Sequence, residues 1–289
     1  MSIFSKANLL HLRLPFSVLL LPVYVFALSQ TTNLNVLNAI LVFVVWHLLV
    51  YPASNAYNSY FDKDEGSIAL LKNPPKIQRN LYHLAVTLEW LGVALAAIVG
   101  WHFVFCVLFY NALSKAYSYP KIRLKKYPII SFLVVFVFQG WFIYVATYYA
   151  VGNIYTGFNA MVFLAGLVCS CLIGASYPLT QVYQHAEDGN RGDKTLSILL
   201  GIKGSFLFSG GIFFLGFGLM FLYWQQAQQL LNFYVFGVIT LPVLGFFSWW
   251  FWQVFKNETA ASYQNMMRMT VISAGVLLIY FLWVFWGGL

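Results

Sequence analysis

Charge is what this sequence has least of. Only 8% of its 289 residues are Asp, Glu, Lys or Arg, against about 25% in an ordinary soluble domain. Meanwhile 61% of the residues are hydrophobic and 20% aromatic. That balance excludes a soluble fold with a greasy core. Cysteine is scarce too: Cys106, Cys169 and Cys171 all fall within apolar runs, where thiols are small packing groups, and this argues against a disulfide framework. The sequence also lacks any His or Cys pattern with metal-ligand spacing, any nucleophile motif and any glycine-rich nucleotide loop. A net charge of +8 does not mark a nucleic-acid partner either, because the basic residues are confined to short connections.

Long apolar runs are what is present. A membrane helix needs about 20 apolar residues, and nine runs qualify, at roughly 10–30, 36–58, 81–100, 101–118, 129–150, 157–181, 204–224, 231–255 and 268–288. The third and fourth are separated by little more than Gly100. All sixteen Lys and Arg lie at the N-terminus (Lys6, Arg13) or near connections 2–3 (Lys63, Lys72, Lys76, Arg79), 4–5 (Lys115, Lys121, Arg123, Lys125, Lys126), 6–7 (Arg191, Lys194, Lys203) and 8–9 (Lys256, Arg268). The alternate connections carry no charge. By the positive-inside rule, this predicts an all-α polytopic protein of nine spans with a cytoplasmic N-terminus and an external C-terminus. The first run resembles a signal peptide with "FALSQ" as a poor cleavage site, and is read as a retained span. The absence of a transit peptide favours a bacterial or archaeal plasma membrane.

Polar residues cluster where even-numbered spans reach the cytoplasm. "NAYNSYFDKDEG" and "TQVYQHAEDGNRG" share a register: Asn58, Asp62 and Gly66 each precede Gln184, Asp188 and Gly192 by 126 residues. The offset predicts two parallel four-helix halves, about 1–128 and 129–255, with a ninth helix at 268–288, in one transmembrane domain around a central cytoplasm-facing cavity. Residues four apart share a helical face, so Asn58 pairs with Asp62 and Gln184 with Asp188. Carboxylates and amide oxygens are hard ligands suited to Mg²⁺, which keeps waters and binds substrate phosphates. These four residues are therefore the expected metal ligands. Around them stands a cationic rim of Lys121, Arg123, Lys125, Lys126, Lys72, Lys76, Arg79, Arg191 and Lys194. Acids with basic neighbours in a lipid-walled cleft point to a phosphorylated ligand with a greasy tail. Asp64, Glu65, Glu187 and Asp193 read equally well as solvated turn acids, and Glu258 as a surface helix start. Glu89 is the one acid deep within a run, where ionisable groups are costly. His47 and His102 read as interfacial hydrogen-bonders. His11 and His185 lie near the cytoplasmic face, and His185 is a candidate base.

At these residues the sequence resembles the UbiA superfamily of intramembrane prenyltransferases, and most closely its menaquinone-type branch, the 1,4-dihydroxy-2-naphthoate polyprenyltransferases. The similar segments are "NSYFDKDEG", "RLPFSVLLLPV", "YSYPKIRLKKYP" and "GDKTLSILLG". The resemblance implies nine helices, Mg²⁺, and transfer of a prenyl group from a polyprenyl diphosphate to a usually aromatic acceptor. It implies that Asn58, Asp62 and Asp188 bind Mg²⁺-diphosphate. By the resemblance, Lys121 and Arg123 would hold the diphosphate, Tyr117 would line the site and Arg13 would face the pocket. From the cationic rim, Arg191 and Lys194 are further diphosphate candidates, and among the many aromatics Tyr60 and Tyr183 are further wall candidates. One departure stands out, since Gln184 occupies the place of the first acid in the family's second motif. Glu187 or Asp193 is positioned to compensate. Rival readings are a carrier or scaffold for an amphiphilic phosphorylated lipid, or cyclisation of a prenyl diphosphate without an acceptor. A through-path for transport is poorly supported, because the external connections carry no charge.

Overall fold

The computed structural model describes residues 3–63, 65–152 and 159–287. Twelve helices follow in order: α1 Lys6–His11, α2 Leu14–Val18, α3 Leu21–Ser29, α4 Val36–Asp62, α5 Asn80–Val99, α6 Trp101–Ser118, α7 Pro128–Gly152, α8 Ala160–Ser176, α9 His185–Asn190, α10 Leu196–Gln226, α11 Leu230–Lys256 and α12 Tyr263–Gly287. Among the described residues the expected runs fall mainly on helix, and the uncertain third boundary falls at Gly100, whose φ of 149° suits a residue without a Cβ. Among the described residues, seven helices are long and apolar enough to cross a bilayer, or eight if Lys6–Val18 and Leu21–Ser29 form one broken span. α6 is a continuous helix of 18 residues. It does not meet the same mark, because its second half carries Asn111, Ser114, Lys115 and Ser118.

The chain divides into two compact units. The first comprises Met1–Leu21, Thr31–Lys125 and Tyr149–Ile154, and the second Pro22–Gln30, Lys126–Tyr148 and Tyr155–Leu289. Unit one packs α1, α4 and α5 through Leu12, Ala56, Tyr57, Leu81, Leu84 and Ala85. Deeper in the unit, Trp46 meets Phe103 and Tyr110 edge-on. A polar seam joins α4 to α6: Ser54 and Ser114 share a hydrogen bond of 2.5 Å, and Asn58 donates to Ser118 at 2.9 Å. The second pair lies one helical turn beyond the first on both helices, so α4 and α6 run in the same direction. α4 widens into a π turn over Val44–Val50 just before Pro52, a residue with no N–H to return to the preceding turn.

Unit two has one core of Leu179, Val182, Phe206, Val243, Trp250, Val254, Ala261, Met266 and Met269. Another forms around Phe26, which stacks on Phe281 at 4.4 Å and meets Tyr144 at 5.2 Å. Residues Phe136–Phe142 of α7 are π-helical because α8 intrudes on their backbone. The Trp141 N–H donates to Ser170 Oγ at 2.9 Å, and a Cβ at Gly140 would stand 2.3 Å from Ser170 Cα. α8 ends at Ser176, where Pro178 prevents its continuation, and a short 3-10 turn follows.

Candidate active site

In unit one, α4 carries Asn58 and Asp62 on its last turns, as the four-residue spacing predicts, and ends at Lys63 in the left-handed region. The Asp62 side chain is 5% exposed. Lys125 pairs with its Oδ2, and Arg123 Nη1 approaches Oδ1 at 3.5 Å. That approach is an ion pair without a hydrogen bond: Oδ1 is buried and has no hydrogen-bond partner. Pro120 follows the end of α6, and the chain turns so that Arg123 N–H donates to Tyr119 O at 2.7 Å with Arg123 itself left-handed, φ 45°. This strained turn delivers both cations to Asp62.

Asn58 Nδ2 donates to Ser118 Oγ, a serine 2% exposed, which leaves the amide oxygen for another partner. Arg13, also left-handed at φ 47°, reaches Asn55 O at 3.4 Å, while Asn55 Nδ2 donates to Leu12 O at 3.2 Å. That reciprocal pair ties the N-terminal segment to α4. Lys121 is exposed and Tyr117 half-buried. Tyr60 packs against Phe61 and Tyr82, as an ordinary packing ring does. Asp64 lies outside the described residues, and Glu65 is exposed. Glu89 is buried and paired with Lys115 at 2.5 Å, and the Lys115 ammonium lies 6.0 Å from the Tyr57 ring centre. Its charge is therefore balanced within unit one.

In unit two, the second polar cluster is not the end of a long helix. It forms the separate helix α9, which Gln184 precedes. The spacing survives, because Asp188 N–H donates to Gln184 O at 2.9 Å. Asp188 and Asp193 are buried and Glu187 half-buried. Arg191 gathers all three: Nη2 donates to Asp188 Oδ1 at 2.7 Å, Nη1 lies 3.9 Å from Glu187 Oε1, and Nε lies 4.0 Å from Asp193 Oδ2. Lys194 is exposed. Gly192 takes a left-handed φ of 76°, the role that Lys63 fills after the first cluster. Tyr183 packs on Tyr263. His185 Nε2 lies 2.7 Å from Ser197 Oγ. Burial holds the His185 pKa below its usual value, and the Glu258 charge opposes that shift only in part.

Among the described residues, no three His, Cys, Asp or Glu side chains converge closely enough to hold a metal by themselves. The donors nevertheless suit a hard divalent cation that keeps waters and leans on phosphate oxygens. Asp62 Oδ1 is an orphaned buried carboxylate oxygen, and the Asn58 amide is oriented by a fixed partner. Spacing located Asn58, Asp62 and Asp188. It did not single out Lys125 as the direct partner of Asp62, nor Ser118 behind Asn58. For Lys125 the only signal was membership of the "RLKK" cluster, and for Ser118 its place beside Tyr117.

The sequence model of the UbiA prenyltransferase family matches residues 18–272. The structure is similar to that of a UbiA homolog from Archaeoglobus fulgidus bound to DMAPP and Mg²⁺, at 17% identity and TM-score 0.68, over 97% of this chain and 99% of that one. The same homolog bound to GPP and Mg²⁺ aligns at 18% identity and TM-score 0.67, with the same coverage. A digeranylgeranylglyceryl phosphate synthase aligns at 17% identity and TM-score 0.62, over 98% of each chain. No curated protein matches the sequence.

Proposed function

The chain belongs to the UbiA prenyltransferase family, and from that premise we propose that it moves a prenyl group from a polyprenyl diphosphate to an aromatic quinone or pigment precursor, a ring of the naphthoate, hydroxybenzoate or homogentisate kind. The protein is an integral membrane prenyltransferase. In our reading the chemistry faces the cytoplasm, beside the cation-rich connections, and the C-terminus lies outside.

The observation that carries the reading is Asp62: a buried carboxylate with an unbonded oxygen, flanked by Arg123 and Lys125. Mg²⁺ held by Asp62 and Asp188, with the amide oxygens of Asn58 and Gln184, would supply charge neutralisation on the departing pyrophosphate. Arg123 and Lys125 take up the remaining anionic charge of the diphosphate, with Lys121, Arg13, Arg191 and Lys194 as further cationic contacts. Asp64, Glu187 and Asp193 are reserve acids, and either of the last two makes up for the charge that Gln184 lacks. The apolar walls exclude water from the allylic cation left by ionisation, and aromatic faces such as Tyr117 lower its energy by about 0.5–2 kcal/mol each. A carbon of the acceptor ring then attacks, and His185, whose pKa burial holds below its usual value, is a candidate to receive the proton.

The test is pyrophosphate release by purified protein in membranes, with labelled geranyl, farnesyl and longer diphosphates, with and without Mg²⁺. Dihydroxynaphthoate, 4-hydroxybenzoate and homogentisate serve as acceptors. Acceptor-dependent release that requires Mg²⁺ is the expected result. Release without any acceptor points instead to cyclisation or hydrolysis. Folded protein that releases nothing from any donor defeats the transferase reading in favour of a carrier or scaffold.

A further inference from the structure

Unit two contains a cavity of about 160 Å³ between α8, α10, α11 and α12. Phe213 and Phe247 stand on its wall, together with Ser209, Gly210 and Thr240. None of these residues belongs to the acid clusters or their cationic partners. Ser209 differs from Thr240 on the same wall, and from Ser205 one turn earlier on α10, in one respect. A helical serine or threonine ordinarily returns its hydroxyl to a carbonyl one turn back. Thr240 does so, donating to Phe236 O at 2.8 Å, and Ser205, one turn before Ser209, donates to Gly201 O at 2.8 Å. Ser209 does not. Its residue is 2% exposed, and its Oγ has no hydrogen-bond partner in the protein. A buried hydroxyl on the wall of an apolar cavity is suited to a ligand that brings one polar atom with it.

Size narrows the ligand further. An engineered cavity of about 150 Å³ lined by Leu, Ile and Phe takes up a single benzene ring, and this cavity of about 160 Å³ has the same capacity and similar walls. We propose that it seats one six-membered aromatic or quinonoid ring carrying an oxygen substituent, with Ser209 Oγ hydrogen-bonded to that oxygen. Phe213 and Phe247 supply the ring's apolar contacts, and aromatic pairs gain a modest increment beyond the burial of their area. The inference stands on the cavity alone and does not require the acid clusters to bind metal. If prenyl transfer is also correct, the ring is either the acceptor or a quinone drawn from the bilayer.

Photolabelling tests this directly. The full-length protein in nanodiscs, without Mg²⁺ or any diphosphate, is irradiated with a diazirine-bearing 4-alkylphenol, and the labelled peptides are mapped. Label is expected on the segments around 209–214 and 240–248. 4-Propylphenol should displace it about tenfold more effectively than propylbenzene, and Ser209→Ala should make the two competitors equal. Gly210→Leu fills the cavity and should abolish labelling. A Cβ at Gly210 meets only Phe247, at 3.8 Å, so Gly210→Ala gives a milder version should the leucine variant fail to fold, as judged by thermal unfolding. Asp62→Ala should leave labelling unchanged, which separates this inference from the transferase reading. Displacement by 4-hydroxybenzoate identifies the ring as an acceptor, and displacement by 2,3,5-trimethyl-1,4-benzoquinone identifies a membrane quinone. Equal competition by propylphenol and propylbenzene in the unaltered protein, or labelling that survives Gly210→Leu in folded protein, overturns the proposal and leaves an unspecific apolar gap.

Discussion

The two acid clusters share a register and differ in electrostatics. Among the described residues of unit one, the carboxylate Asp62 lies between two cations, Arg123 and Lys125. Among the described residues of unit two, the cation Arg191 meets three carboxylates, Glu187, Asp188 and Asp193. The first arrangement is suited to receive an anion, and the second a cation. In the proposed function the first cluster takes most of the charge of the diphosphate and the second most of that of the metal, a division of labour. The shared register of 126 residues accounts for where a carboxylate stands in each cluster. Which charges surround it was set by residues the two motifs do not share, the cations of the strained turn after α6 in one unit and Arg191 in the other.

That comparison can be broken most decisively at the two carboxylates. Asp62→Ala and Asp188→Ala should each lower the rate of pyrophosphate release by at least about 100-fold, the scale of losing one charge-stabilising group at a reacting centre. An effect confined to one of them would dissolve the division of labour. Next come the cations. Removing Arg123 or Lys125 should raise KM for the prenyl diphosphate by about ten- to a hundredfold, because charge-assisted hydrogen bonds are worth about 1.5–3 kcal/mol each. Arg191→Ala should do the reverse at its own cluster: with three acids left unneutralised, the apparent affinity for Mg²⁺, read by titration of the donor-free protein with a competing metal indicator, should tighten. Donor KM rising equally in Arg123→Ala and Arg191→Ala would erase the contrast.

A finer effect is expected behind Asn58. Ser118→Ala frees the amide to rotate, and weakened Mg²⁺ dependence of about tenfold at unchanged saturating rate is the expected signature, since outer-shell partners typically cost about 10- to 100-fold in metal affinity. Rescue by Ser118→Thr would separate positioning from packing. Smallest of all should be Lys121→Ala. The residue is exposed, and its loss should raise donor KM less than that of Lys125, a few-fold at most by the standard of solvent-screened charges. The opposite order would show that Lys121, as the family resemblance implies, swings onto the diphosphate when it binds.

Much of this was legible in the residues. Apolar runs located the helices, and Gly100 marked the break between α5 and α6. The Asn58–Asp62 spacing located a helical face. Where reading by pattern stopped, a specific physical event intervened. The second cluster was expected at the end of a long helix, but Pro178 ends α8 early and α9 forms as a separate piece. The count of nine spans met the polar seam of α6, whose Ser114 and Ser118 face α4 and lower its apolarity. Lys121 and Lys125 are equivalent in composition. Only the left-handed turn at Arg123 decides that Lys125 meets Asp62.

The sequence by itself determined that this chain lives in a membrane, that it is helical, and where its acids and amides recur. Each of those follows from composition and period, quantities carried by neighbouring residues along the chain. The tertiary structure alone decided which cation pairs with which acid, that Asn58 is held by Ser118, and that Ser209 is a buried hydroxyl on a ring-sized cavity. Those facts depend on atoms brought together from distant segments, at distances of a few ångströms where hydrogen bonds and desolvation act, and no local pattern encodes them.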